Sequence, residues 1–190
     1  GGYFSTGTNA ETIANLAGGG MILSSGGTAT TTITGSVSVG DGGIGTMINN
    51  RVGTGSIFRL NSGAVFNFEL ASNGGTSDQM AFFNYGSGEF VLNSNAINLS
   101  LVGAQAGGTY TVSLFKFYSD NGATLTNSGI TSGLVIGTLG SGFDGTPTLS
   151  YNAGGNSIDL TYSVIPEPAT WGLLAVGLTT VVIFRRRRIG

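Results

Sequence analysis

The sequence contains no cysteine and no histidine. Without cysteine the protein cannot form disulfide bonds, thiolate metal sites or a thiol nucleophile, and without histidine it has no imidazole for acid–base catalysis. Proline is also rare, with three residues in 190, and two of them, Pro166 and Pro168, stand close together near the C-terminus. The folded part must therefore be stabilised by packing and by backbone hydrogen bonds.

Charged side chains are scarce and unevenly distributed. Before residue 164 there are three basic residues, Arg51, Arg59 and Lys116, against eight acidic ones, so this region has a net charge of −5. A surface so poor in cations cannot neutralise the phosphates of a nucleic acid, and anionic lipid headgroups repel it. We therefore expect no nucleic-acid partner.

Glycine is the most abundant residue, and 32 of the 35 glycines precede residue 164, mixed with Ser, Thr and Asn. Gly and Asn supply the positive-φ positions of tight turns, whereas Thr, Val, Ile, Phe and Tyr favour strands. From Met21 to Val164 apolar residues recur with a period of two in short runs, each ending near a Gly-containing turn. The pattern predicts an all-β domain; only Asn9–Ala17 is ambiguous, as a short helix or a loop between strands.

Two architectures fit short strands separated by small polar turns. One is a right-handed parallel β-helix, and the other is an antiparallel sandwich or jelly roll. Tight-hairpin signals are few in the first half, but Thr148–Tyr151 and Ser157–Val164 flank a turn sequence and predict a hairpin. We expect right-handed parallel β-helix-like coils closed by an antiparallel β cap over residues 1–163. Because the chain starts at Gly1 without Met, we also expect this domain to be N-terminally truncated.

The last 27 residues have a different composition. Two prolines separated by one residue cannot join a sheet or lie inside a helix, so segment 164–168, with Pro166, Glu167 and Pro168, is extended and accessible. Residues 169–184 carry no charge and, as a helix, would reach about 24 Å against the ~30 Å hydrocarbon core of a bilayer. We predict one C-terminal transmembrane helix, anchored by Trp171, Leu173, Leu174, Val176, Leu178, Val181, Val182, Ile183 and Phe184.

A basic segment, 185–190, ends the chain. Its four cations resist transfer across the membrane and act as a stop-transfer signal, which leaves the C-terminus in the cytoplasm and the β domain outside. These cations are Arg185, Arg186, Arg187 and Arg188.

Pro-Glu-Pro, an apolar span and a terminal arginine cluster together resemble the PEP-CTERM sorting signal of Gram-negative bacteria. The resemblance implies that an exosortase in the inner membrane recognises Pro166-Glu167-Pro168, cuts near it and removes the tail. The protein would then pass from an inner-membrane intermediate to the cell surface or the extracellular matrix. Segments between Ser77 and Thr161 also resemble the C-terminal part of autotransporter-type β-helix passengers.

The β domain contains no recognisable catalytic signature. A polysaccharide hydrolase needs two carboxylates at a controlled separation, but the available acids, Asp78, Glu89, Asp120 and Asp144, lie in no motif. We predict that the protein is not an enzyme.

Two other binding chemistries, calcium binding and sugar stacking, depend on particular residue types. Residues 41–43 and 120–122 hold oxygen donors that suit calcium, but neither segment matches a calcium-binding repeat, so we predict turns there, no metal and no cofactor. Most aromatic side chains are expected in the core, with Tyr85 and Tyr118 exposed as a potential sugar-stacking surface.

These observations favour an exported structural or adhesive protein of the cell surface, exopolysaccharide or biofilm matrix, acting by many weak contacts. The alternative is a carbohydrate-binding module, or a remnant of an extracellular polysaccharide hydrolase. A further possibility is that the tail is never cut and the chain stays in the membrane.

Overall fold

A computed structural model describes residues 3–7, 9–25, 29–40, 42–52, 57–83, 89–103, 107–118 and 133–165. These residues form fourteen β-strands and no α-helix. In chain order the strands are β1 (Tyr3–Gly7), β2 (Glu11–Gly18), β3 (Met21–Ser25), β4 (Thr30–Val39), β5 (Thr46–Val52), β6 (Ile57–Leu60), β7 (Val65–Ala71), β8 (Gln79–Phe83), β9 (Glu89–Val91), β10 (Asn95–Val102), β11 (Gly108–Phe117), β12 (Leu134–Leu139), β13 (Thr148–Asn152) and β14 (Ser157–Val164).

The strands assemble into two seven-stranded sheets. Sheet A has the order β1-β3-β5-β8-β11-β14-β13, and sheet B has the order β12-β10-β7-β4-β6-β9, with β2 paired to β4. All described pairs are parallel except those of β14 with β11 and with β13. Because a parallel neighbour can only be reached by a crossover, the chain passes repeatedly from one sheet to the other.

The predicted fold class is wrong beyond its all-β character. The two sheets are open and have edge strands, in place of the predicted right-handed parallel β-helix with an antiparallel β cap. An antiparallel sandwich does not fit either, since most pairs are parallel. The resemblance to autotransporter passengers is not supported. Period-two alternation shows that a strand has one buried face, but it carries no information on how the sheets are joined.

The predicted C-terminal transmembrane helix is not shown by the described residues. Over the described part of the chain, no helix is long and apolar enough to cross a membrane. Residues 169–184 themselves lie outside the described residues.

The core lies between the sheets and is rich in phenylalanine. Phe66 of β7 meets Phe115 of β11 edge to face, with ring centroids 5.0 Å apart, and Phe58 of β6 meets Phe82 of β8 at 5.9 Å. All four rings are fully buried. Each such pair contributes about 0.5–1.5 kcal/mol beyond the burial of its area. Aromatic packing therefore joins the two sheets.

Two local predictions have different outcomes. The ambiguous stretch Asn9–Ala17 is neither a helix nor a loop, because β2 pairs in parallel with β4 and tertiary pairing overrides weak local propensity. The predicted hairpin is confirmed: Leu149 pairs with Leu160 and Tyr151 with Ile158 across β13 and β14.

Candidate functional site

The predicted sorting and anchoring residues all follow the described part of the chain. These are Pro166, Glu167 and Pro168, the anchor residues from Trp171 to Phe184, and Arg185, Arg186, Arg187 and Arg188. Their roles stay predictions. The structure describes the chain up to Ile165, the residue immediately before Pro166.

The chain is held against the domain up to its last described residue. Val164 at the end of β14 is 3% exposed and forms an antiparallel bridge with Phe143. On either side of this bridge, the Asp144 N–H donates to the Ser163 carbonyl (2.9 Å) and the Ile165 N–H donates to the Gly142 carbonyl (2.8 Å). We call residues 142–144 and 163–165 the C-terminal clamp.

The clamp is connected to the core through aromatic side chains. The Phe143 ring packs edge to face on Tyr162, with centroids 6.0 Å apart. Tyr162 is 1% exposed, and its hydroxyl donates to the Ala71 carbonyl at 2.9 Å. Burial raises the pKa of Tyr162, with the neighbouring Tyr110 adding to the effect. The hydroxyl therefore stays a hydrogen-bond donor at neutral pH.

A second feature is a groove of about 480 Å³ along the outer face of sheet B. In parallel register, Ser38 of β4, Asn67 of β7 and Asn98 of β10 lie side by side on neighbouring strands. The Asn67 amide donates to Ser38 Oγ (2.8 Å), the Asn98 amide donates to Asn67 Oδ1 (2.9 Å), and the Thr138 N–H donates to Asn98 Oδ1 (2.9 Å). We call Ser38, Asn67, Asn98 and Thr138 the polar row.

The polar row keeps hydrogen-bonding capacity for a ligand. Each amide nitrogen carries two hydrogens, and the bonds above use one from each asparagine. Glu69 also lines the groove, and within the described residues its Oε2 atom is buried without a hydrogen-bond partner. Amides and hydroxyls on a shallow surface suit a neutral polyhydroxylated ligand.

Asp78 stabilises the turn beside this groove. Its carboxylate is fully buried and accepts the N–H groups of Gly45 (2.8 Å) and Glu69 (2.6 Å). Burial raises its pKa to about 6, the two hydrogen bonds oppose that shift, and the charge of Glu69 adds to it. A carboxyl enclosed in this way cannot reach a substrate, so Asp78 is a structural residue.

Among the other acids predicted as candidates for catalysis, Asp144 is the one whose side chain lies in the described part of the chain. Asp144 is exposed and belongs to the clamp through its backbone. The Glu89 side chain and Asp120 are not described. Over the described residues no group of three or more acidic side chains could hold a metal ion, and Asp41 and segment 120–122 lie outside them.

Asp159 organises the hairpin at the far edge of sheet A. Burial alone would raise its pKa, but hydrogen bonds from Ser113, Asn152 and Ser157, together with the charge of Lys116, lower it below the usual value. The carboxylate is therefore charged at neutral pH and fixes the hairpin register.

Of the two tyrosines predicted to be exposed, Tyr118 is confirmed and Tyr85 is not described. Tyr118 is 39% exposed and stacks on Phe83, with centroids 4.5 Å apart and an interplanar angle of 7°. One ring face is therefore already occupied by protein, which leaves less surface for a sugar than a free ring would offer.

The polar row was missed at the sequence level. Its members are separated by 29 residues, Ser38 to Asn67, and by 31 residues, Asn67 to Asn98. Such a spacing is a signal in principle, since residues one crossover apart stack on parallel strands. In a chain full of Ser and Asn, however, the same residue types are typical of turns.

Comparison with known proteins identifies the tail. Residues 164–188 match the PEP-CTERM protein-sorting motif. No curated protein and no solved structure is significantly similar to the chain. The motif implies an exosortase substrate that is exported to the cell surface through a membrane-anchored intermediate.

Proposed function

We propose that this exported exosortase substrate is a non-enzymatic structural or adhesive protein of the bacterial surface or extracellular matrix. The observation that carries the proposal is the sorting motif at residues 164–188, which accounts for delivery. The β domain supports it with a sparsely charged, polar surface and a core tightly packed with aromatic rings. Such a surface suits many weak contacts more than turnover of a substrate.

We further propose that the apolar run 169–184 holds the precursor in the inner membrane. The four arginines that follow it would stay in the cytoplasm, because positively charged segments resist translocation. The β domain would then lie outside until the exosortase removes the tail.

Processing is tested in the host with Pro166→Ala and Pro168→Ala combined. The expected result is a larger product that stays in the membrane fraction, measured by mass spectrometry and fractionation. Pro147→Ala is the matched control, since Pro147 is the remaining proline and precedes the tail. A double variant of the same mass and location as the processed wild type would count against the proposal.

The polar row favours a second function, polysaccharide binding. Its amides and hydroxyls line the groove, and adjacent strands repeat them at about 4.8 Å, close to the dimensions of a sugar ring. The ligand class would be a neutral polysaccharide of the host matrix, since the domain as a whole is acidic.

Binding is tested by co-sedimentation with polysaccharide purified from the host. Combining Asn67→Ala with Asn98→Ala should weaken binding at least about tenfold if each lost hydrogen bond is worth about 1 kcal/mol or slightly more. Thr111→Ala on sheet A is the control, because its hydroxyl pairs with Thr161, away from the groove. Equal binding by the wild type, the double asparagine variant and Thr111→Ala would contradict binding in the groove. Release of reducing sugar would contradict a non-enzymatic role.

A further inference from the structure

The sorting motif begins without any linker after the folded domain. Val164 is buried between Gly108 of β11 on one side and Phe143 of the clamp on the other. Ile165, the next residue, donates its N–H to Gly142. Pro166 follows directly in the sequence. The matched motif therefore begins inside the clamp, at Val164, and Pro166 is adjacent to the last backbone hydrogen bond of the described residues.

This adjacency conflicts with the needs of a peptide-cleaving enzyme. Such an enzyme binds its substrate as an extended segment with free backbone groups on both sides of the bond that it cuts. At the start of the motif, the Ser163 carbonyl accepts the Asp144 N–H and the Ile165 N–H donates to the Gly142 carbonyl. The cleft and the clamp therefore compete for the same residues.

The clamp is the part of this region that can open at low cost. β13 pairs with β14 only as far as Thr161, opposite Thr148, so residues 142–144 replace it beside residues 163–165. The clamp has a single bridge and two backbone hydrogen bonds, and Phe143 is only partly buried. Local opening of such a peripheral segment takes less free energy than global unfolding.

We propose that the C-terminal clamp controls access of the processing enzyme to the sorting motif. The clamp and the last two pairs of the β11–β14 ladder, Thr109 with Ser163 and Gly108 with Val164, must open before residues 163–165 enter the cleft. The rate of processing then follows the fraction of molecules in which this end of β14 is open. The inference rests on the proposed processing of the tail by an exosortase.

The test crosslinks the clamp through Asp144→Cys combined with Ser163→Cys. These residues stand opposite each other next to the bridge between Phe143 and Val164. In an antiparallel pair the two Cα atoms are about 4.5–5.5 Å apart, within the range that a disulfide spans. The chain has no other cysteine, and both positions precede the matched motif. The full-length precursor is incubated with host membranes that contain the enzyme, and cleavage is followed by gel and mass spectrometry.

We expect the oxidised precursor to be processed at least about tenfold more slowly than the same protein after reduction. A Gly-Ser-Gly-Ser insertion between Ser163 and Val164, which leaves the matched motif intact, should restore processing of the oxidised form, because the spacer supplies free backbone. Phe143→Ala should speed processing, whereas Tyr118→Ala, which alters an aromatic side chain away from the clamp, should not.

Two results would overturn the inference separately from the proposed function. Equal rates for oxidised and reduced protein would mean that the clamp need not open, and failure of the spacer to rescue would mean that the crosslink acts in another way. Absence of processing in every protein, the wild type and the spacer variant included, would overturn the proposed function together with the clamp.

Discussion

Replacing Asp78 with asparagine should remove most of the pH dependence of folding stability between pH 4 and pH 7. The Asp78 carboxyl is fully buried, and its pKa in the folded protein is raised from 3.8 to about 6. Between these two values the folded protein keeps a proton that the unfolded chain has lost. Stability from this group is therefore complete below pH 3.8 and is lost as the pH rises through 6.

The size of the effect follows from the shift. Integrating proton binding from pH 4 to pH 7 with these two pKa values gives a loss of about 2 kcal/mol in the free energy of unfolding. Asp159 contributes little over this range, because its pKa is lowered and most of its contribution is lost below pH 3.8. Wild type should thus be about 2 kcal/mol more stable at pH 4 than at pH 7 from Asp78 alone.

Urea unfolding followed by circular dichroism, on a chain ending at Ile165, measures this difference. Asp78→Asn should show a nearly flat profile over the same range, although its absolute stability falls because the amide nitrogen cannot accept one of the two backbone N–H groups. Thr111→Ala, which removes a hydroxyl that pairs with Thr161 on sheet A, should keep the wild-type slope. Equal slopes for wild type and Asp78→Asn would refute the assignment of the raised pKa to Asp78.

Two further substitutions test the packing. Phe115→Ala should lower the free energy of unfolding by about 3–5 kcal/mol, because a fully buried ring between the sheets is lost. Tyr118→Ala, at a partly exposed ring, should lower it by under about 1.5 kcal/mol. Equal losses in urea titrations would contradict the proposed core. Gly40→Ala should lower the stability in thermal unfolding by at least about 2 kcal/mol more than Gly42→Ala does. Both glycines have a positive φ, but only at Gly40 would an added Cβ contact the protein, 2.5 Å from Asp78 Oδ1. Similar melting temperatures for the two glycine variants would show that this turn is not tightly packed.

The alternation of residues predicted strands and their buried faces well. In β7 the alternating residues Phe66, Phe68 and Leu70 share one face, and all three are buried. Near Phe115 the alternation breaks, a pattern that indicates a bulge or burial on both faces. The structure has a register shift between Ser113 and Phe115, and it buries Leu114 as well as Phe115.

Strand partners could not be predicted in the same way. β4 pairs with β2, β6 and β7, and nothing in the local composition of Thr30–Val39 distinguishes these partners from any other short Thr-rich or Ser-rich strand. Parallel pairing joins segments far apart in sequence, so it depends on the whole chain. The same limit applies to the candidate sites. The polar row exists only in register, and nothing in the local sequence of residues 142–144 indicates that they lie beside β14.

The position of β14 inside sheet A bears on the order of events during export. A chain that crosses a membrane with its N-terminus leading delivers this strand last, yet β14 is the strand that joins β11 to β13. Sheet A therefore stays incomplete until residue 164 has emerged. Completion of sheet A would then indicate that the β domain has been fully translocated, at the moment when the residues of the sorting motif emerge.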